Sequence, residues 1–67
     1  MPLINVRQLP GRTPEQKKQL IQELTETFVQ VTGAKQETVW VVIEEVDSDS
    51  WGIGGLTLKE KKARAEG

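Results

Sequence analysis

The shortness of the chain is the feature that most restricts how it can fold. It has 67 residues and contains neither cysteine nor histidine. A domain of this size buries only about 60% of the surface that its unfolded chain exposes, so such chains usually need a disulfide, a metal or a partner subunit. Because this composition excludes disulfides and nearly every zinc site, we expect the extra buried area to come from oligomerisation.

Charge and hydropathy narrow the class of protein further. Nine basic residues against ten acidic residues leave a net charge of −1, whereas nucleic-acid-binding proteins usually present a basic surface. No apolar run approaches the roughly 20 residues of a membrane span, and the N-terminus lacks the basic and apolar segments of a signal peptide. We therefore expect a soluble cytoplasmic protein with no metal and no nucleic-acid or membrane partner.

The first half of the chain carries the signals of a strand followed by a helix. Residues 3–9 partly alternate between apolar and polar, which predicts a strand. Residues 13–16 (Thr-Pro-Glu-Gln) form a helix start, with an N-cap threonine, proline at the first helical position and glutamine to close a capping box. Gly33 is a natural helix stop. The predicted apolar stripe of the helix consists of Leu20, Ile21, Leu24, Phe28 and Val31.

The second half predicts a buried strand, a hairpin and a charged tail. Residues 39–43 are all apolar and continue into residues 44–46, which is typical of a strand covered on both faces. Residues 51–56 contain three glycines, and they predict a hairpin of two short strands. Residues 57–67 are charged, and we expect a loose helical turn or a mobile tail.

These elements define a single α/β domain over residues 1–67. A long helical crossover makes the two main strands parallel and the connection right-handed. The expected subunit is a βαβ unit with a parallel two-stranded sheet and a C-terminal β-hairpin. The sheet face opposite the helix would meet water in an isolated subunit. Pairing of subunits would cover that face, which predicts a dimer-based oligomer.

The composition excludes most known arrangements of catalytic side chains. The remaining candidate is an amine base at the N-terminus. Without histidine or cysteine, Ser-His and Cys-His machinery cannot form. Excision of Met1 would leave Pro2 with a secondary amine, and a terminal amine has a reference pKa of roughly 7.7 to 8. Apolar surroundings lower that pKa, and a neutral amine can act as a general base. The Met1-Pro2 dipeptide alone is weak support for a catalytic role, because proline is also a common second residue in proteins where it has no function.

Several sequence blocks occur together in an order that carries a family resemblance. Pro2 opens a short strand, residues 11–17 read Gly-Arg-Thr-Pro-Glu-Gln-Lys, residues 44–46 read Glu-Glu-Val, and residues 51–55 read Trp-Gly-Ile-Gly-Gly. Over residues 2 to about 56 the chain resembles the 4-oxalocrotonate tautomerase family, a short-chain branch of the tautomerase superfamily. The resemblance implies βαβ subunits assembled as a homohexamer, a trimer of dimers. It also implies a cofactor-free isomerase that interconverts enol or dienol and keto forms of a 2-oxo or 2-hydroxy acid.

The resemblance also implies roles for individual residues. Pro2 takes the place of the family's catalytic base, and Arg12 that of the arginine that binds a substrate carboxylate. Trp51 takes the place of the aromatic residue that forms an apolar wall of the pocket. Two alternatives stay open: Arg12 as a surface charge flanking the helix, and Trp51 as a packing residue under the hairpin.

Trp40 is the place where the sequence departs from the family pattern. The muconate-pathway enzyme of the family carries a second arginine at this position, whereas tryptophan offers an N–H donor and a flat apolar surface but no charge. Arg7 should lie on the opposite strand face from Pro2 and is a poor replacement. We therefore predict that 2-hydroxymuconate is not the native substrate and that a less charged or more aromatic enol suits Trp40 better. The alternative is that Trp40 faces the core.

Two other classes of function remain open from the sequence. Within enzymes, the same proline amine could support hydration, dehalogenation or carbonyl addition, and the fold does not decide among them. Alternatively, the chain is a non-catalytic or partner subunit of a hetero-oligomer in which a second chain supplies the missing arginine. Loss of turnover in Pro2→Ala and Arg12→Ala variants of the homo-oligomer would favour the enzyme.

Overall fold

The computed structural model describes residues 1–66 and has a parallel βαβ unit followed by a hairpin and a short helix. Its elements are β1 (Leu3–Gln8), α1 (Pro14–Thr32), β2 (Trp40–Glu45), β3 (Gly52–Ile53), β4 (Leu56–Thr57) and α2 (Leu58–Glu66), with 3₁₀ turns at Gln36–Thr38 and Ser48–Ser50. β1 and β2 pair in parallel, and β3 and β4 pair antiparallel. The predicted α/β architecture is confirmed.

Both ends of α1 are set by local contacts that the sequence predicts. The Gln16 N–H donates to Thr13 Oγ1 at 3.1 Å, and the Thr13 N–H donates to Gln16 Oε1 at 3.0 Å, which completes the capping box. Gly33 ends the helix with φ of 75°, and its N–H donates to the Val29 carbonyl at 2.8 Å. A left-handed residue at this position favours glycine because a Cβ would be strained there.

The apolar stripe of α1 meets the sheet along only part of its length. Leu20, Leu24 and Phe28 are half-buried, as predicted, but Val31 is 78% exposed. Val31 therefore belongs to the predicted stripe but does not pack against the sheet within one subunit. The helix has 19 residues and is about 28 Å long, whereas six-residue strands span about 20 Å. Val31 keeps its place around the helix axis but lies in the last turn, beyond the sheet. Ile21, at the edge of the stripe, is also exposed.

The sheet is covered on one face only. Ile4, Val6, Val41 and Ile43 are half-buried on the face toward α1, and the side chains between them are exposed on the other face. We call the second face, which carries Leu3, Asn5, Arg7, Trp40, Val42 and Glu44, the outer face. The prediction of a β2 buried on both sides is therefore not met within one subunit.

The single subunit lacks a closed core. None of the side chains described for residues 1–65 is fully buried. Its radius of gyration is 15.9 Å, compared with about 11 Å for a compact chain of this length. Its accessible surface is 5382 Å², compared with about 4,200 Å² for a compact monomer of its mass. These dimensions favour the predicted pairing of subunits.

The C-terminal segment is more ordered in its secondary structure than the sequence analysis predicts. Gly54 and Gly55 turn the predicted hairpin with φ of 61° and 88°. α2 then begins with a second capping box, in which the Glu60 N–H donates to Thr57 Oγ1 at 3.0 Å and the Thr57 N–H donates to Glu60 Oε1 at 3.1 Å. The Thr-x-x-Glu pattern at residues 57–60 is the signal that predicts this helix. The predicted mobility of the tail stays a prediction, and Gly67 lies outside the described residues.

None of the helices within residues 1–66 is long and apolar enough to cross a membrane.

Candidate functional site

Arg12 and Trp51 lie together at the C-terminal end of β1. Gly11, with φ of 126°, redirects the chain after Pro10 and places Arg12 just before the cap of α1. Trp51 is half-buried, and its carbonyl accepts the Leu58 N–H at 2.8 Å. The concave surface that contains both residues is otherwise lined by Gln8, Leu9, Pro10, Gly11, Ile53 and Leu58. An exposed guanidinium thus stands at the edge of a mostly apolar concavity, an arrangement that suits a carboxylate with an apolar body.

Arg12 is free to bind a ligand. Within the described residues its guanidinium forms no ion pair, whereas the strand cation Arg7 and the helix cation Lys17 each face a carboxylate. A planar guanidinium presents paired N–H donors whose geometry matches a carboxylate. Leu9, Ile53 and Leu58 line the same concavity, and they are residues that the sequence analysis did not single out. Their apolar character alone could not have distinguished them from packing residues.

Pro2 and Trp40 lie at the same N-terminal end of the sheet but on opposite faces, because Pro2 shares the face of Ile4 and Val6. The Trp40 N–H donates to the Pro2 carbonyl at 2.9 Å, and Trp40 pairs with Leu3 in the register of the two strands. Pro2 is half-buried, whereas Trp40 is 54% exposed on the outer face. Trp40 therefore does not pack in the layer between sheet and helix. Its place in a pocket stays a prediction.

The two pairs of predicted site residues lie at opposite ends of β1. Six residues of strand separate Pro2 from the loop that leads to Arg12, a distance of about 20 Å. One subunit therefore does not bring the four predicted residues together. A site that uses all of them requires the Arg12 end of one subunit to meet the Pro2 end of another.

The N-terminus is accessible for processing. Met1 is 89% exposed, and while it is attached the Pro2 nitrogen is an amide without basicity. Removal of Met1 converts the same nitrogen into a secondary amine at the edge of the sheet.

A polar cluster occupies the outer face and was not predicted from the sequence. Asn5 Nδ2 donates to Glu44 Oε1 at 2.6 Å, and Arg7 Nε lies 3.8 Å from Glu44 Oε2. Arg7 is on the face opposite the half-buried Pro2, Ile4 and Val6, as predicted. Glu45 points to the other face, where its carboxylate lies 3.0 Å from Lys17 Nζ. The two adjacent glutamates therefore do not form a carboxylate pair. In residues 1–66 no cluster of acidic side chains suited to a metal ion is present.

Comparisons with known proteins agree with this fold and with the resemblance in sequence. The family model described as tautomerase enzyme matches residues 2–61. The 2-hydroxymuconate tautomerase of Bacillus subtilis is 40% identical over 60 residues, which cover 90% of this chain and 97% of that protein.

Two solved structures share the fold closely. TomN, a 4-oxalocrotonate tautomerase homologue of the tomaymycin biosynthetic pathway, is 35% identical and superposes with a TM-score of 0.88 over 92% of this chain and 95% of that one. A heterohexamer 4-oxalocrotonate tautomerase from Chloroflexus aurantiacus is 30% identical, with a TM-score of 0.82 over 90% of this chain and 97% of that one. With a family match over nearly its whole length and the same βαβ-hairpin fold, the chain belongs to the tautomerase family, in the group of 4-oxalocrotonate tautomerase homologues, and is an isomerase.

Proposed function

We propose that this enzyme interconverts the enol and keto forms of a 2-oxo acid, with the secondary amine of Pro2 as general base and Arg12 as the carboxylate-binding residue. The observation that carries the proposal is the free guanidinium of Arg12 beside the apolar surface of Trp51 and its neighbours. This surface holds an anionic group at a fixed point while leaving the remainder of the substrate in apolar surroundings.

The proposed reaction is a proton transfer that regenerates the base. The neutral Pro2 amine takes the proton of the enol hydroxyl as the carbonyl forms, and the resulting ammonium returns a proton to carbon. No electron is gained or lost, so the cycle needs no cofactor. The free guanidinium of Arg12 aligns the substrate through its carboxylate, and positioning of this kind is a major part of catalysis.

The proposed assembly is a homohexamer built as a trimer of dimers. An open outer face, the absence of fully buried side chains in residues 1–65 and the separation of Arg12 from Pro2 all favour a site completed by a neighbouring subunit. We place the enzyme in the cytoplasm, where methionine excision would release the Pro2 amine.

A second candidate is a partner subunit of a hetero-oligomer. The similarity to a heterohexamer from Chloroflexus aurantiacus favours it, as does the division of the predicted site between two ends of the subunit. In that case the purified homo-oligomer would be inactive, and a second chain would restore turnover.

The test follows the ultraviolet absorbance of phenylenolpyruvate and 2-hydroxymuconate during ketonisation, with protein shown by intact mass to lack Met1. Pro2→Ala replaces the secondary amine with a primary amine and should lower turnover, whereas blocking the amine altogether should lower it by about 10²- to 10⁴-fold. A matched control carries a cleavable N-terminal tag, which keeps the Pro2 nitrogen as an amide while every side chain is unchanged. We expect activity only after cleavage. Equal activity before and after cleavage would refute the role of the amine.

A further inference from the structure

The C-terminal end of the sheet places a carboxylate close to Arg12. Glu45 is the last residue of β2 and pairs in register with Gln8, the last residue of β1. Arg12 follows Gln8 by four residues, after the turn at Gly11, and the two line one concavity beside the first turns of α1. Glu45 points to the face that α1 covers. Its carboxylate and the Arg12 guanidinium therefore lie at the same end of the subunit, on long flexible side chains.

Lys17 engages that carboxylate. Lys17 Nζ lies 3.0 Å from Glu45 Oε1, and the two side chains are only 31% and 34% exposed, so the pair is partly shielded from water. The Lys17 N–H donates to the Thr13 carbonyl at 3.0 Å, which fixes its backbone one turn after the N-cap. Lys17 also lines the same concavity as Arg12. The ammonium therefore occupies a carboxylate that would otherwise be available to Arg12.

We propose that Lys17 is a positioning residue: by holding the Glu45 carboxylate, it keeps the Arg12 guanidinium available for the substrate. The inference rests on the proposed function, in which Arg12 binds the substrate carboxylate. Arginine and carboxylate groups match in a paired hydrogen-bond geometry, so a released Glu45 would compete with the substrate for the same donors. A competitor in the same chain acts at a high effective concentration.

Other carboxylates near α1 are less suited to this competition. Glu23 lines the concavity, but it lies ten residues after Thr13, about 15 Å along the helix axis. Glu15 lines a different concavity of α1 together with Lys18. Glu44 belongs to the polar cluster of the outer face. Among residues 1–66, Glu45 is therefore the carboxylate best placed to reach Arg12 once Lys17 is replaced.

The test is a titration of the Met1-free oligomer with unreactive 3-phenylpropionate, followed by tryptophan fluorescence. Trp51 shares a concavity with Arg12 and reports on it. Lys17→Met keeps the length of the side chain and removes the charge. We expect it to raise the dissociation constant about two- to fivefold, the scale of a partly exposed ion pair that the ligand must displace. Glu45→Gln alone should leave binding unchanged, and the double variant should bind as the wild type.

Matched variants separate this competition from general charge and from a structural effect. Lys18→Met removes the same charge from another side of α1 and should leave binding unchanged, whereas Lys17→Arg retains the cation and should bind as the wild type. In an Arg12→Ala background, Lys17→Met should have no further effect, because no guanidinium remains to be occupied. With phenylenolpyruvate as substrate, Lys17→Met should raise KM more than it lowers kcat, and Glu45→Gln should reverse the change. A purely structural role of the pair would give losses that Glu45→Gln does not reverse.

The outcomes distinguish this inference from the proposed function. Unchanged ligand binding in Arg12→Ala would overturn both. Weaker binding in Arg12→Ala with unchanged binding in Lys17→Met would overturn the inference alone, as would a Glu45→Gln change that strengthens binding equally with and without Lys17. The expected binding pattern in an oligomer that turns over neither enol would overturn the Pro2 chemistry and support the role of Lys17. Where Lys17→Met fails to assemble, Lys17→Gln removes the same charge and decides the question.

Discussion

Val42 provides the sharpest test of which surface holds the oligomer together. It lies at the middle of the outer face, pairs in register with Asn5, and is 40% exposed in the single subunit. If neighbouring subunits cover the outer face, Val42→Asp places a carboxylate inside the interface, two residues from Glu44 on the same strand face. We therefore expect this substitution to weaken assembly while leaving the βαβ unit able to form.

The expected loss of association free energy in Val42→Asp follows from the exposed fraction of the Val42 side chain. Full burial of a valine side chain stabilises by about 1.5–3 kcal/mol, so covering the remaining 40% of Val42 contributes about 0.6–1.2 kcal/mol per subunit. Desolvation of the new carboxylate adds several kcal/mol. A conservative total of about 3 kcal/mol per subunit corresponds to a loss of more than about a hundredfold in each association constant.

Sedimentation velocity across a range of protein concentrations measures this effect directly. The matched control is Val31→Asp, the same chemical change at a valine that is 78% exposed at the end of α1. We expect Val31→Asp to sediment as the wild type and Val42→Asp to dissociate. Dissociation of Val31→Asp with an intact Val42→Asp oligomer would refute the reasoning and place the interface on the helix.

Two further substitutions test the carboxylate site and the helix start. Arg12→Ala should lower kcat/KM by about 10- to 100-fold, mainly through a higher KM, because a charge-assisted hydrogen bond contributes about 1.5–3 kcal/mol. Arg64→Ala, at another exposed arginine, should not change it, and equal effects of the two would point to long-range charge rather than a specific contact. Thr13→Ala should lower the free energy of unfolding by about 1 kcal/mol through loss of the N-cap. Urea denaturation at a fixed protein concentration measures this loss, and Thr13→Ser, which preserves the cap, should retain stability.

Local structure was predictable because it depends on neighbours in the chain. The capping box of Thr13 and Gln16 and the left-handed stop at Gly33 involve contacts within four residues, so the sequence alone located α1. The glycine pair at residues 54–55 likewise predicted the hairpin turn. α2 was predicted only as a loose helical turn or a mobile tail, because charged composition is typical of such tails, although its Thr-x-x-Glu start is equally local.

The length of a helix relative to the sheet beneath it could not be predicted from the periodicity of apolar residues. The apolar repeat of α1 includes Val31, but the sheet under the helix is too short to cover the last turn. Periodicity specifies the side of a helix on which a residue lies and contains no information about how far the neighbouring layer extends. For the same reason the all-apolar run of β2 predicted two covered faces, whereas one subunit supplies a cover for only one of them.

The sequence by itself determined the family, the order of the elements and the residues proposed for the chemistry, because these follow from residue types at fixed spacings. Strand alternation alone also predicts that Arg7 lies on the face opposite Pro2, as the structure shows. Only the tertiary structure showed that Arg12 and Trp51 share one concavity while Pro2 and Trp40 lie about 20 Å away at the other end of the strand. It also placed Trp40 on the outer face, through a register in which it pairs with Leu3. The physical reason is that spacing along a chain constrains contacts within an element, whereas proximity between elements depends on how the strand, crossover and hairpin pack in three dimensions.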